Sequence, residues 1–178
     1  MQISSFWQRA VYFFIIPFCF CLSKMHDLEA AITAYAQLSS LTSQVPPTKG
    51  IALIRMETID ALFNLSLSAN KQSLVIKEDG FYFVVANAQV GSIDETTTGY
   101  VDIWLVVNNK SVPNSNSRMT VDVPTSSGLL VTQSILALKA GDHFGIGYSA
   151  SGPSLGIVFS QPPNEPAIPS MIFTMIKM

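Results

Sequence analysis

From Ile51 to Met178 apolar residues recur at every second position in short runs rich in β-branched and aromatic side chains, separated by Gly, Pro, Asn, Asp and Ser. That period leaves little room for anything but β-strands. Met119, Val121 and Val123 alternate with Arg118, Thr120 and Asp122, a strand with one wet and one buried face. Phe144, Ile146 and Tyr148 alternate with glycines in the same way. Ten strands are predicted, near 51–58, 62–69, 72–77, 81–91, 99–108, 117–123, 129–138, 143–150, 154–160 and 168–177. Their spacing suits a β-sandwich, and the lack of alternating long helices excludes a parallel α/β sheet.

Two of these runs are apolar on both faces: Phe81 to Ala86, and much of Tyr100 to Val107, including Trp104. In a two-sheet sandwich only one side of a strand faces the core. The other side then needs a cover, most economically a neighbouring subunit. Tyr100 and Trp104 are the residues expected at such an interface. If the chain were instead a monomeric or dimeric sugar-binding sandwich, the same two rings would be its exposed stacking platform.

The N-terminus has a different character. Arg9 precedes an unbroken apolar run from Ala10 to Leu22, which matches the hydrophobic region of an export signal and is shorter than the roughly 20 residues that span a bilayer. Residues 1–24 are therefore expected to be a signal peptide, cleaved near Ser23, or an uncleaved signal anchor. Both destinations lie outside the cytosol, secreted or at the cell surface. Cys19 and Cys21 are the chain's two cysteines, so the chain beyond Cys21 contains no disulfide and must rely on its core and on self-association. Between Met25 and Ser43 the apolar residues Met25, Leu28, Ile32, Tyr35, Leu38 and Leu41 recur every three or four positions. The spacing predicts a helical stalk over 25–44, either packed on its own domain or in a short coiled coil. Pro46-Pro47 cannot continue a helix, which marks 45–49 as an extended linker and 50–178 as the domain.

Several function classes fall away. Ten positive residues are scattered among twelve negative ones, for a net charge of −2, so there is no basic stripe for nucleic acid. His26 and His143 are the two histidines. One histidine in the domain cannot build the metal site of an enzymatic jelly roll, and Asp142 should point away from its neighbour His143, which leaves no triad. Phosphate-loop and dinucleotide fingerprints are absent. No cofactor is expected. Calcium is the one alternative, but Asp94, Glu95, Asp102, Asp122 and Asp142 form no dense cluster in the sequence, and the ion needs six to eight oxygens. Gly80 and Gly141 read as turn glycines, and Asp142 as closing its turn through the backbone two residues on. Loops 114–117 and 125–128 are polar and are where partner contacts are expected. Asn64-Leu65-Ser66 and Asn109-Lys110-Ser111 match the N-glycosylation sequon.

Three segments, in order, carry a family resemblance. Lys77-Glu78-Asp79-Gly80-Phe81-Tyr82-Phe83-Val84 resembles the loop and strand of the complement C1q and tumour necrosis factor superfamily, with Tyr82 on the family tyrosine. Leu105 to Val112 resembles its strand and turn, with Asn108-Asn109 in place of Asn-Gly. Ser134 to Phe144 resembles its Leu-x-x-Gly-Asp segment through Leu138, Gly141 and Asp142. Met175 stands where the family's last strand has glycine, and no collagen-like Gly-x-y stem is present. The resemblance implies an all-β, ten-stranded jelly-roll sandwich that forms a homotrimer. It also implies a non-enzymatic head that recognises a protein or glycan partner through its loops.

Overall fold

A computed structural model of the chain describes residues 32–47 and 52–178. The signal segment 1–24, residues 25–31 of the expected stalk, and 48–51 lie outside the described residues. Two antiparallel sheets make a sandwich, and there is no helix among the described residues. None of these residues therefore forms a helix long and apolar enough to cross a membrane. In chain order the strands are β1 (Tyr35–Ser40), β2 (Ala52–Leu53), β3 (Thr58–Phe63), β4 (Leu65–Leu67), β5 (Leu74–Ile76), β6 (Gly80–Ser92), β7 (Gly99–Val107), β8 (Lys110–Ser111), β9 (Ser117–Val121), β10 (Gly128–Leu138), β11 (His143–Ala150), β12 (Leu155–Ile157) and β13 (Met171–Lys177).

One sheet runs β10-β6-β13-β1-β3, with β12 on the far end of β6. The other runs β4-β5-β11-β7-β8, with β2 on β11 and β9 on β7. Period-two patterning builds the core between them. Tyr82, Val84, Ala86, Ala88 and Val90 of β6 face Val101, Ile103 and Leu105 of β7 and Phe144, Ile146 and Tyr148 of β11, all in one buried cluster. Phe144 and Phe173 stack across the two layers with centroids 5.3 Å apart, a pairing that adds to the burial of both rings.

The helical stalk over 25–44 is not what forms in its described part. Residues 35–40 are β1, which lies between β13 and β3 with Tyr35 opposite both Ile176 and Phe63. Ala34, Ala36 and Leu38 are buried, whereas Tyr35 and Gln37 face outward. The spacing Ile32, Tyr35, Leu38 fits a helix equally well, but an isolated helix of that length is marginal in water. Pairing on both edges, with a register shift toward β3 between Gln37 and Leu38, gives this backbone its partners and buries alternate side chains. The jelly roll therefore begins before residue 50, and residues 32–178 form one compact unit. The last residue of the expected stalk also lies on the sandwich. Gln44 pairs with Ile157, and its carbonyl passes so close to Gly156 that a side chain there would collide with it.

Candidate functional site

The outward face of the β10-β6-β13-β1-β3 sheet carries a broad apolar surface. Cross-strand register aligns Ile135, Phe83, Ile176, Tyr35 and Phe63 in one row spanning all five strands. Tyr35 and Phe63 stack at 5.7 Å, and Phe81, Leu129, Val131 and Ile172 extend the surface. Phe63 is 53% exposed, Phe81 62% and Ile135 56%. With roughly 200 Å² for a whole large side chain, the exposed part of the eight most accessible of these residues is on the order of 800 Å². A monomer's largest apolar patch is usually about 300–600 Å². Between the apolar rows lies a polar one, in which Gln133, Thr174 and Gln37 share the face with Val85 and Ala61.

The other sheet presents Tyr100, Asp102, Trp104 and Val106 from β7. Arg118 on β9 sits opposite Asp102 and grips both carboxylate oxygens at 2.8 Å through Nε and Nη2. Its guanidinium also lies 3.8 Å from the Tyr100 ring centre, so one cation covers the ring and pairs the acid. That hydrogen-bonded pairing with Asp102 raises the Arg118 pKa further. Trp104 is half-buried and lies flat on Gly147, where any Cβ would come within 2.6 Å of its Nε1. Gly147, one of the glycines noted in β11, thus makes the trough in which the indole rests, while Gly145 lies against the Gln72 carbonyl. Of the two residues expected at a subunit interface, Tyr100 is capped and Trp104 is seated within its own chain.

The residues of the family motifs are structural. Tyr82 is fully buried and its hydroxyl donates to the Glu78 carbonyl at 2.8 Å; burial pushes its pKa up. Gly80 faces Lys177, whose Nζ pairs with Glu78 at 2.7 Å, and Asn64 Nδ2 donates to the same carboxylate. These bonds, Lys177 first, hold Glu78 below the usual carboxylate range. Asn64, in one of the two sequons, is thereby engaged, whereas Asn109, in the other, is exposed. Gly80 pairs with Leu138, and Phe83 belongs to the outward row. Asn108 and Asn109 both adopt positive φ, 51° and 62°, the geometry of a tight β7–β8 hairpin turn.

Asp142 closes its turn differently from the expectation. Its carboxylate accepts from the Lys139 N–H at 2.8 Å and from Asn108 Nδ2 at 2.8 Å, reaching back rather than forward, while Asn108 Oδ1 accepts from the His143 N–H at 2.9 Å. The Lys139 bond, then that from Asn108, keeps Asp142 below the ordinary range. Gly141 has φ +89°, which explains the glycine. His143 is exposed and lines a groove with Ser73, but the neighbouring carboxylate is engaged elsewhere. Asp94 is likewise tied into its own loop. Bonds from Ser92, Ser154 and the Thr96 N–H lower its pKa strongly. No three metal-ligating side chains cluster among the described residues.

No protein-family model matches the sequence, and no curated protein does. Solved structures do match. The globular domain of zebrafish complement 1qA superposes with a TM-score of 0.57 at 13% identity, over 82% of this chain and 97% of that one. Murine APRIL superposes with a TM-score of 0.53 at 12% identity, over 82% and 98%. At such identities the likeness speaks for the fold alone, and the fold is the C1q/TNF-like jelly roll that the three motifs implied.

Proposed function

We propose that this protein is an exported, non-enzymatic binding head that assembles as a homotrimer through the outward face of the β10-β6-β13-β1-β3 sheet and offers its loops to a protein or glycan partner. The observation that carries the reading is the apolar row from Ile135 to Phe63. An exposed surface on the order of 800 Å² exceeds what soluble monomers usually leave in water and equals one partner's share of a standard interface. The family resemblance favours three copies. The run from Ala10 to Leu22 favours export. The reading requires no cofactor, since Asp94, Asp102 and Asp142 each have partners of their own. The competing sugar-binding platform on Tyr100 and Trp104 loses ground, because Arg118 covers one ring and Gly147 beds the other.

Light scattering on the purified full chain tests the reading. A particle of three times the 19.4 kDa subunit mass is the expected result. A monomer at tens of micromolar, about the concentration where standard interfaces are already formed, refutes it.

A further inference from the structure

At the end of the sandwich where β6 and β12 finish, four segments converge on a cleft of ≈ 220 Å³. The segment after β1 supplies Ser43, the end of β6 supplies Gly91 to Ile93, the β9–β10 loop supplies residues 124–127, and the chain after β12 supplies Val158 to Ser160. The β9–β10 loop is one of the two that the sequence singles out for partner contacts.

The walls are fixed by hydrogen bonds. Phe159 N–H donates to Ser43 Oγ at 3.0 Å, Gln89 Nε2 to Ser127 Oγ at 2.6 Å, and Ser126 N–H to the Val123 carbonyl at 3.0 Å. A Cβ on Gly91 would meet Ser127 and Val158 at 3.3 Å, so glycine is what lets these walls approach. A site held this way loses little entropy when it is filled.

Its chemistry is narrow. The lining is dominated by serine and threonine hydroxyls, with one charged side chain, Glu95, and one aromatic ring, Phe159. Hydroxyls both donate and accept, an ionised carboxylate accepts from two neighbouring hydroxyls, and a ring offers an apolar surface. No lysine or arginine lines the cleft, so a phosphate or carboxylate ligand would meet only the negative Glu95. The volume lies below the roughly 300–1,000 Å³ of sites for drug-sized ligands, which leaves room for one ring. From this we infer that the cleft is a binding site for an uncharged monosaccharide unit, held by Glu95, Ser126 and Ser160 with Phe159 under its apolar face. The inference rests on the binding-head reading and names its partner class as a neutral glycan.

The probes are the methyl glycosides of glucose, galactose, mannose and N-acetylglucosamine, titrated against the full chain by saturation-transfer NMR. At least one should bind at millimolar strength, with affinity reduced about tenfold by Glu95→Gln and similarly by the Ser126→Ala/Ser160→Ala pair. All three changed residues are exposed, so folding should survive. Silence from all four glycosides at about 10 mM, or binding unchanged by both variants, overturns the inference. Because the cleft lies within one chain, glycoside binding by a monomeric protein would sink the trimer and leave this site standing. A trimer that ignores all four would sink the site alone.

Discussion

Phe83 lies within the apolar row, between Ile135 on β10 and Ile176 on β13, and Phe83→Asp should separate the proposed subunits without unfolding them. The ring is 37% exposed in the single chain, which against roughly 200 Å² for a whole aromatic side chain leaves about 75 Å² to be covered by a neighbour. At about 25 cal/mol per Å² that is ~2 kcal/mol per subunit and ~6 kcal/mol per trimer, or roughly four decades in the assembly constant. A carboxylate forced into the same interface adds a desolvation cost. The assay is light scattering on wild type and variant across a dilution series, with circular dichroism and urea unfolding to check that the sandwich persists. Trimeric wild type and monomeric, folded variant are expected. A variant that remains trimeric at low micromolar concentration would refute the placement of the interface.

The geometry sets three other expected outcomes. Tyr82→Phe keeps the packing but leaves the buried end of the Glu78 carbonyl bond unmade; stability should fall by about 1 kcal/mol and Tm by about 3 °C in a scanning calorimeter. Gly147→Val drives a branched side chain into the space of the Trp104 indole. It should cost about 1–3 kcal/mol and shift tryptophan emission to the red on a Trp7→Phe background, and unchanged emission would contradict the seating of the ring. The folded-state pKa values of Asp94, Asp142 and Glu78 all lie below the ordinary range, so the stability they contribute is present above a carboxylate pKa of about 4 and is lost as pH falls below it. The urea midpoint should accordingly drop between about pH 5 and pH 2.5, and Asp94→Asn should flatten the profile.

The strands with strong alternation and clear turn residues were legible one by one. The strand read at 81–91 became Gly80–Ser92, and the one at 143–150 became His143–Ala150. Local signals sufficed there because hairpin turns and two-residue periodicity are local properties. β1 was not legible, since its identity depends on Ile176 and Phe63, one of them at the far end of the chain. Tyr35, whose spacing fits a stalk helix, consequently stands in the apolar row between Ile176 and Phe63. The two-sided apolarity of Phe81 to Ala86 matches a strand with one face in the core and the other apolar and exposed. Which strands share that face could not be read, because a row across five strands is set by register between distant segments. Asp142 was recognisable as a turn closer, but its second bond comes from Asn108 in the β7–β8 turn, 34 residues away, which no local signal reveals.

The two outward faces differ in how far the chain itself covers its aromatic residues, and this decides where a second copy has most to gain. On β7, Tyr100 lies beneath a guanidinium that is held in place by two bonds to Asp102, and Trp104 rests in the trough left by Gly147. Tyr100 is still 36% exposed, but Trp104 is only partly so, and these two rings are the aromatic residues that β7 offers on this face. On the opposite sheet Phe63, Phe81, Leu129 and Ile135 are each more than half exposed. Hydrophobic association scales with newly buried area, so a second copy would gain more on this sheet, with its larger number of exposed apolar residues, than on the other. The polar row of Gln133, Thr174 and Gln37 then has a definite consequence. Their amides and hydroxyl must find partners once the flanking apolar rows are covered, and only certain registers between subunits provide them. The apolar rows would supply the affinity of the assembly, and this polar row its geometry.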